Sequence, residues 1–430
     1  MDRFFSKKNI LIAAFIFSFS IVIIRIISVP LLNSGKARDS IHGDSYSDIN
    51  TYSAMRYFYD FGFGKSYLLP VHGYKGDGNS ANMGAYTHYP ALPDILAGSY
   101  ARILHTTDTR WVRIFPLLIS IGFFFFIVHF FQTLLPDKNA AFIGALVLVL
   151  SNYFIFWADN LHKHLYEEIL KWVYVYLLFL YYREDRKNKW LIVLCSLIFI
   201  LVTNISFEPV TYLAIVTVGM SWIYKRNIFT FETILLGFAP VIGFGLHFYQ
   251  NILYFGSVDL ALADMTHAAA LRTTGIESVQ NEMKRNLTFL DYISIPYYWS
   301  FRIERLFLIP GPAFFFFAYL GLKEIRKVNQ QLFGLGIVLL IASLSWNIFM
   351  TQHWLVHTFT TKHLGLFYGF VIGYGLLSYY DLVKKDWASN VVFKKILHVI
   401  FIGYILVMAL SQQLFDYFRY GFFYSLYTPS

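Results

Sequence analysis

Charge is scarce in this chain and cysteine is almost absent. Only 14% of its 430 residues are Asp, Glu, Lys or Arg, against roughly 25% in an ordinary soluble domain. That shortfall, with repeated apolar runs of about 20 residues, places the chain among polytopic membrane proteins. The single cysteine, Cys195, lies inside an apolar run, so no internal disulfide can form and the redox compartment stays open. Soluble-enzyme signatures are missing too: no phosphate loop, no Rossmann glycine triplet and no HExxH zinc helix. A nucleotide therefore has nowhere to sit, and a donor substrate would have to be membrane-borne. Repeats of fixed period, coiled-coil heptads, low-complexity tails and a separate soluble domain are also lacking. The net charge of +9 is no nucleic-acid signal, because Lys and Arg fall in short clusters between apolar runs.

What is present is 57% hydrophobic and 20% aromatic residues, arranged as an all-α polytopic membrane protein of about eleven transmembrane helices. The first run follows Arg3, Lys7 and Lys8 and exceeds the roughly 7–15 residues of a signal-peptide core, so it reads as an uncleaved anchor with a cytoplasmic N-terminus. Basic residues then recur on alternate loops: Lys138, the REDRKNK cluster at 183–189, Lys225-Arg226, KEIRK at 323–327, and Lys384-Lys385 with Lys394-Lys395. The solution is one membrane domain over 1–430, N-terminus inside and C-terminus outside, in the plasma (inner) membrane. Its two large outer loops are 33–112 and 256–302. The outer loops gather the candidate acids and most of the histidines on one face, the periplasmic or extracellular one. Charged groups close to lipid are costly and usually functional or paired.

The first outer loop carries two carboxylates, Asp44 and Asp48, just before a run with helix-like apolar spacing at 49–62. A helix starting near Ser47 puts Asp48 in its first turn, where the positive end of the dipole favours an ionised acid. Either acid suits a general base that takes a proton from an attacking hydroxyl; the plainer alternative is a helix cap. Asp44 is also placed to orient an acceptor or to bind a divalent cation, although no motif calls for a metal or cofactor. After a Gly- and Asn-rich bend comes His88-Tyr89-Pro90, with His88 a substrate contact or a polar anchor at the headgroups, and then a second amphipathic run to Leu104. His353 and His357 have i, i+4 spacing and would share a helix face. With no neighbouring carboxylate or cysteine in sequence they suit a metal poorly, and a phosphate contact with Lys362 better. Asp159, His162 and Glu167 either line the same cavity or form a solvated helix start.

Several segments together resemble the polytopic glycosyltransferases of the GT-C superfamily, in the protein-mannosyltransferase and aminoarabinose-transferase branch. SDINTYSAMRYFYDFGF (47–63) is similar to that family's first-loop acid and helix, with Asp48 at the acid and Tyr52 four residues on. THYPALPDILAG (87–98) resembles its His-Pro segment. WADNLHKHLYEE points to Asp159 as the acid after span three, and QHWLVHTF to the late histidines His353 and His357. The second of two adjacent family acids is missing after Asp48, or is replaced by Asp44. The resemblance implies a polyprenyl-phosphate-linked sugar as donor, a glycan, lipid or protein acceptor, and inverting transfer to a hydroxyl on the outer face. Tyr52, His88, Asp159, His353, His357 and Lys362 would hold the substrates. The competing classes are a transporter or flippase of lipid-linked sugars and a polysaccharide polymerase or ligase. The second would lean on Arg272, Arg285, Arg302 and Arg305.

Overall fold

A computed structural model describes residues 7–32, 45–79, 83–273, 289–350, 354, 358–389 and 391–417. Asp44, His353 and His357 lie outside the described residues; Asp48 is described as a helical position only. The described residues are all-helical, without a β-strand. In chain order the helices are α1 Lys7–Leu32, α2 Ser45–Phe61, α3 Leu92–Leu104, α4 Thr109–Val112, α5 Ile114–Leu134 and α6 Lys138–Val149. There follow α7 Asn152–Ile155, α8 Lys163–Arg183, α9 Trp190–Ile205, α10 Glu208–Lys225, α11 Phe231–Phe255 and α12 Val258–Thr273. The last are α13 Phe289–Ile293, α14 Ile295–Leu306, α15 Gly311–Val328, α16 Gln330–Phe349, α17 Gly365–Ala388 and α18 Val392–Tyr417. Among the described residues five helical stretches are long and apolar enough to cross a membrane: Arg110–Leu134, Phe231–Phe255, Gln330–Phe349, Thr360–Ala388 and Val392–Ser411. The molecule is an integral membrane protein.

Other stretches expected as spans are shorter or more polar. Span three is broken, because Ser151 bonds back to the Leu148 carbonyl with both its amide (3.1 Å) and its hydroxyl (2.5 Å). That double bond ends α6 at Val149, and the chain turns through the short α7 before α8 begins. Local side-chain competition of this kind is what Ser brings to a helix end. The apolar stretch from 140 to 158, which reads in sequence as a single span, is therefore two helices and a turn.

Helix α17 is the centre of the bundle and is buried on most sides. Its glycines at 365, 369 and 373 lie four apart on one face. A Cβ on Gly373 would come within 1.9 Å of the Ala140 carbonyl oxygen, and one on Gly144 of α6 within 2.3 Å of the Gly369 carbonyl. On another face, a Cβ on Gly375 would meet the Phe317 carbonyl of α15 at 2.2 Å. Small residues are what let membrane helices approach this closely, since lipid tails leave little hydrophobic drive for helix association. The two helices of the first loop use the same device. Gly98 of α3 sits against Phe58 of α2, with only 2.8 Å for a Cβ.

Gly373→Leu should therefore force α6 and α17 apart. The expected result is loss of the monodisperse purified protein or a strongly lowered Tm, whereas Gly122→Ala, in open space, should leave both unchanged. A Gly373→Leu protein of wild-type Tm would contradict the close packing.

Candidate functional site

Several buried polar residues meet where α2 and α3 dock on the bundle. Helix α2 begins two residues before the expected Ser47, so position 48 falls in its first turn. One turn on, on the same face, Thr51 is fully buried and its hydroxyl is 2.7 Å from His162 Nδ1, in the turn just before α8. Met55, Ala97, Tyr100, Ala101, Val112, Leu161, Tyr166 and Ile205 form one buried apolar cluster beneath this contact. Helices α2 and α3 are thus folded onto the bundle by apolar burial and keyed by a hydrogen bond. Tyr52 is half-buried, with the Arg56 guanidinium 4.2 Å over its ring and bonded to its hydroxyl at 2.5 Å.

Residues 87–90 are clamped from the other side. The Thr87 carbonyl accepts from His247 Nε2 (2.9 Å) and Asn251 Nδ2 (3.2 Å) of α11, and the Thr87 hydroxyl donates to Asp264 of α12 (2.6 Å). His88 Nε2 lies 3.1 Å from the other Asp264 oxygen. Tyr89 is 3.0 Å from His72 Nε2 through its hydroxyl and packs edge-on to His162 at 5.2 Å between centroids. Burial pushes His72 down to about 4, so it is neutral at pH 7.

Sequence reading missed Asp94. It stands in the first turn of α3, fully buried, and neither oxygen has a well-formed hydrogen bond. Burial raises its carboxyl to about 7, offset in part by the Thr51 hydroxyl and its own amide. Only its place at the end of the polar stretch, beside two prolines in PALPD, set it apart in sequence.

Asp159 is buried and held by Arg113, whose Nη1 reaches Asp159 Oδ2 at 3.2 Å and the Asp159 carbonyl at 3.0 Å. Burial raises this carboxyl as well, with Arg113 pulling it back part of the way. The solvated-helix-start reading of Asp159, His162 and Glu167 does not hold, since all three are buried.

Lys362 is fully buried on the 3₁₀ segment Thr358–Leu364 that leads into α17. It pairs with Glu167 and His164 of α8 and approaches Glu208 of α10 at 3.5 Å. Glu208 also pairs with Lys163, and Lys171 pairs with Glu168 at 2.5 Å, which in turn accepts from the Tyr153 hydroxyl at 2.5 Å. His363 closes the group, 3.8 Å from both Glu168 and Glu208. Glu167, Glu168 and Glu208 balance Lys163, Lys171 and Lys362 in formal charge. Lys362 already faces two carboxylates, so its charge is compensated without a phosphate. Among the described residues no three His, Cys, Asp or Glu side chains are set to hold a metal ion, and Asp159 is taken up by Arg113. Arg302, a candidate for a polymerase, is buried and engages Trp354 through the carbonyl (2.5 Å) and the ring face (4.4 Å).

Breaking one arm of a buried pair typically costs ~3–5 kcal/mol, because the partner charge is stranded. Lys362→Met should lower Tm sharply, and adding Glu167→Gln should restore much of the loss; a double variant no better than the single would refute the pairing. Asp94 makes a second, separable prediction. Its folded carboxyl holds the proton more tightly than the unfolded chain does, so its contribution is complete below about pH 4 and lost as pH rises through about 7. At about 1.36 kcal/mol per pKa unit the upper limit is ~4 kcal/mol. Asp94→Asn should flatten the fall in Tm between pH 5 and pH 8 and exceed the wild type at pH 8; parallel curves would refute a buried neutral carboxyl.

No protein-family model and no curated protein matches this sequence. Solved structures do. The oligosaccharyltransferase of Archaeoglobus fulgidus in the apo form aligns at TM-score 0.55 and 13% identity, covering 95% of this chain and 56% of that one. Its complex with Zn and sulfate aligns at TM-score 0.51 and 14% identity over 93% and 52%. Its complex with an inhibitory peptide and a dolichol-phosphate aligns at 0.50 and 14% over 96% and 56%. This chain spans about half the length of that enzyme. At such identities the likeness is one of fold, and by fold the chain is similar to an archaeal oligosaccharyltransferase.

Proposed function

We propose that the protein is a GT-C-type glycosyltransferase that moves a sugar from a polyprenyl-phosphate donor to a hydroxyl acceptor on the outer face of the membrane. The observation that carries this reading is the docking of α2. An acid-bearing first turn is keyed through Thr51 to His162, at the end of the bundle where the polar loops meet. The fold likeness to an enzyme solved with a dolichol-phosphate supports it. The mannosyl or aminoarabinosyl branch, hexosyl or pentosyl transfer, and the eleven-span N-in topology belong to the proposal.

In this reading Asp48 is the general base and Asp44 orients the acceptor. Deprotonating the hydroxyl sharpens its attack on the anomeric carbon, with inversion, while the phosphate leaves with the bond electrons. A carboxylate close to the sugar also stabilises an oxocarbenium-like transition state. Tyr52, His88, Asp159 and the late histidines His353 and His357 line the substrate path. Lys362 acts from behind them, fixing α8 to the segment that follows those histidines. The fold relative has been solved with Zn and sulfate, which supports keeping a divalent cation beside Asp44 in the reading; no step is assigned to one.

A transport reading draws on one observation, the compensated charges buried between helices, which moving bundles also carry. The test is turnover of a defined polyprenyl-phosphate sugar by the purified protein. Asp48→Asn should lose about 10²–10⁴ in rate, the usual cost of a general base, with donor binding retained and Asp44→Asn milder. Full activity of both variants would remove the enzymatic reading of this loop and favour transport.

A further inference from the structure

At the bundle end opposite the site the helices leave a cavity of about 530 Å³. Helix α8 runs from one to the other: Lys163 belongs to the buried network, and Arg183 lines the cavity. Its 21 residues span about 30 Å at roughly 1.5 Å per residue, one hydrocarbon thickness. The cavity walls are the α5–α6 turn, the C-terminal ends of α8 and α10, and the start of α16.

Its chemistry is divided. Lys138, Arg183, Arg186 and Lys225 line it with Asp185 as the one acid, while Leu134, Leu135, Phe179 and Leu332 supply an apolar wall. The cations are not equally engaged. Lys225 and Arg186 share Glu232 at 3.1 and 3.9 Å. Among the described residues Arg183 and Lys138 have no carboxylate partner; Arg183 lies 5.6 Å over the Phe179 ring, and Lys138 bonds to the carbonyls of Gln132 and Leu135. Two successive non-glycine residues, Asp185 and Arg186, hold left-handed backbone at φ 49° and 62°. Such strain persists only where surroundings impose it. Here it carries two charged side chains onto the cavity rim. Trp190, Trp222, Phe229 and Phe231, all exposed, surround this end, as aromatic residues do at the headgroup level.

We propose that this cavity binds a phosphate-bearing anion, with the basic rim on the phosphate and the apolar wall beside the start of an acyl chain. Basic pockets between transmembrane helices are suited to anionic lipid headgroups. The wall of leucines and Phe179 favours a lipid over free phosphate. The inference is independent of the glycosyltransferase reading, since none of these residues belongs to that site.

The test is the Tm of the purified full chain in non-ionic detergent, with phosphatidylglycerol, phosphatidylcholine or inorganic phosphate added. Phosphatidylglycerol should raise Tm and phosphatidylcholine should not. Lys138→Gln/Arg183→Gln should lose most of that rise, whereas Lys384→Gln/Lys385→Gln, which removes equal charge outside the cavity, should keep it. A response confined to phosphatidylglycerol identifies a lipid ligand; an equal response to inorganic phosphate, lost in the same variant, identifies a free anion. If the double variant is unstable without lipid, Arg183→Gln alone should weaken the rise and Arg183→Lys preserve it. Equal responses of cavity and control variants would overturn the proposal.

Discussion

The ion pairs of Lys362 with Glu167 and Glu208 set the terms for the end of the bundle on which α2 and α3 dock. They join three segments that sequence keeps far apart: the start of α8, the start of α10 and the 3₁₀ segment before α17. A bare charge buried among these helices would be prohibitively costly, and each pair repays desolvation only while its partner stays in place. The network therefore constrains geometry more than it adds stability. With α8 held at its first turn, the His162 turn is held too, and His162 is the polar key for α2 through Thr51. The position of α2 thus depends on a charge balance at the start of α8.

Packing and polarity divide the work. Glycines along α17 bring α6 and α15 to backbone contact, which fixes the bundle without needing polar groups in lipid. The polar pairs then act at the ends of the helices, where a slip of one turn would leave carboxylates facing apolar side chains. Tyr153 links the two systems. Its ring meets Gly365 where a Cβ would stand, and its hydroxyl donates to Glu168.

Much of this was legible in the sequence because the signals are local. Apolar runs gave the helical membrane class, and the spacing at 49–62 gave α2 to within a few residues of its bounds. Seeing the amphipathic run before Leu104 gave α3. Pairings between distant segments were not legible: Lys362 and His164 are 198 positions apart, and nothing near Lys362 in sequence distinguishes a phosphate ligand from a structural cation. Asp159 looked like a free acid for the same reason, since Arg113 reads only as the start of a span. The break after Val149 was hidden because Ser151 ends the helix through hydrogen bonds, without a Pro or Gly to announce it. Lys171 and Glu168 carry no signal in sequence either, yet both are buried, paired with each other one turn apart on α8 and touching His363 and Tyr153 of other segments.

The two ends of α8 show how one charge rule produces different chemistry. At its N-terminal end, carboxylates and lysines are equal in number and enclosed, so the local field is short-ranged and serves to position. At its C-terminal end, cations outnumber acids around an open cavity, so a positive field is left over for something outside the chain. Basic clusters on alternate loops carry topological information whatever their geometry. What turns one of them into a site is concavity: charges on an exposed helix end, as at Lys384 and Lys385, are screened within about 8 Å at physiological salt, whereas charges around a cavity with an apolar wall act together on one anion. By that criterion the Lys138–Arg183 end differs in kind from the Lys384-Lys385 cluster, although hydropathy and charge alone make the two look alike.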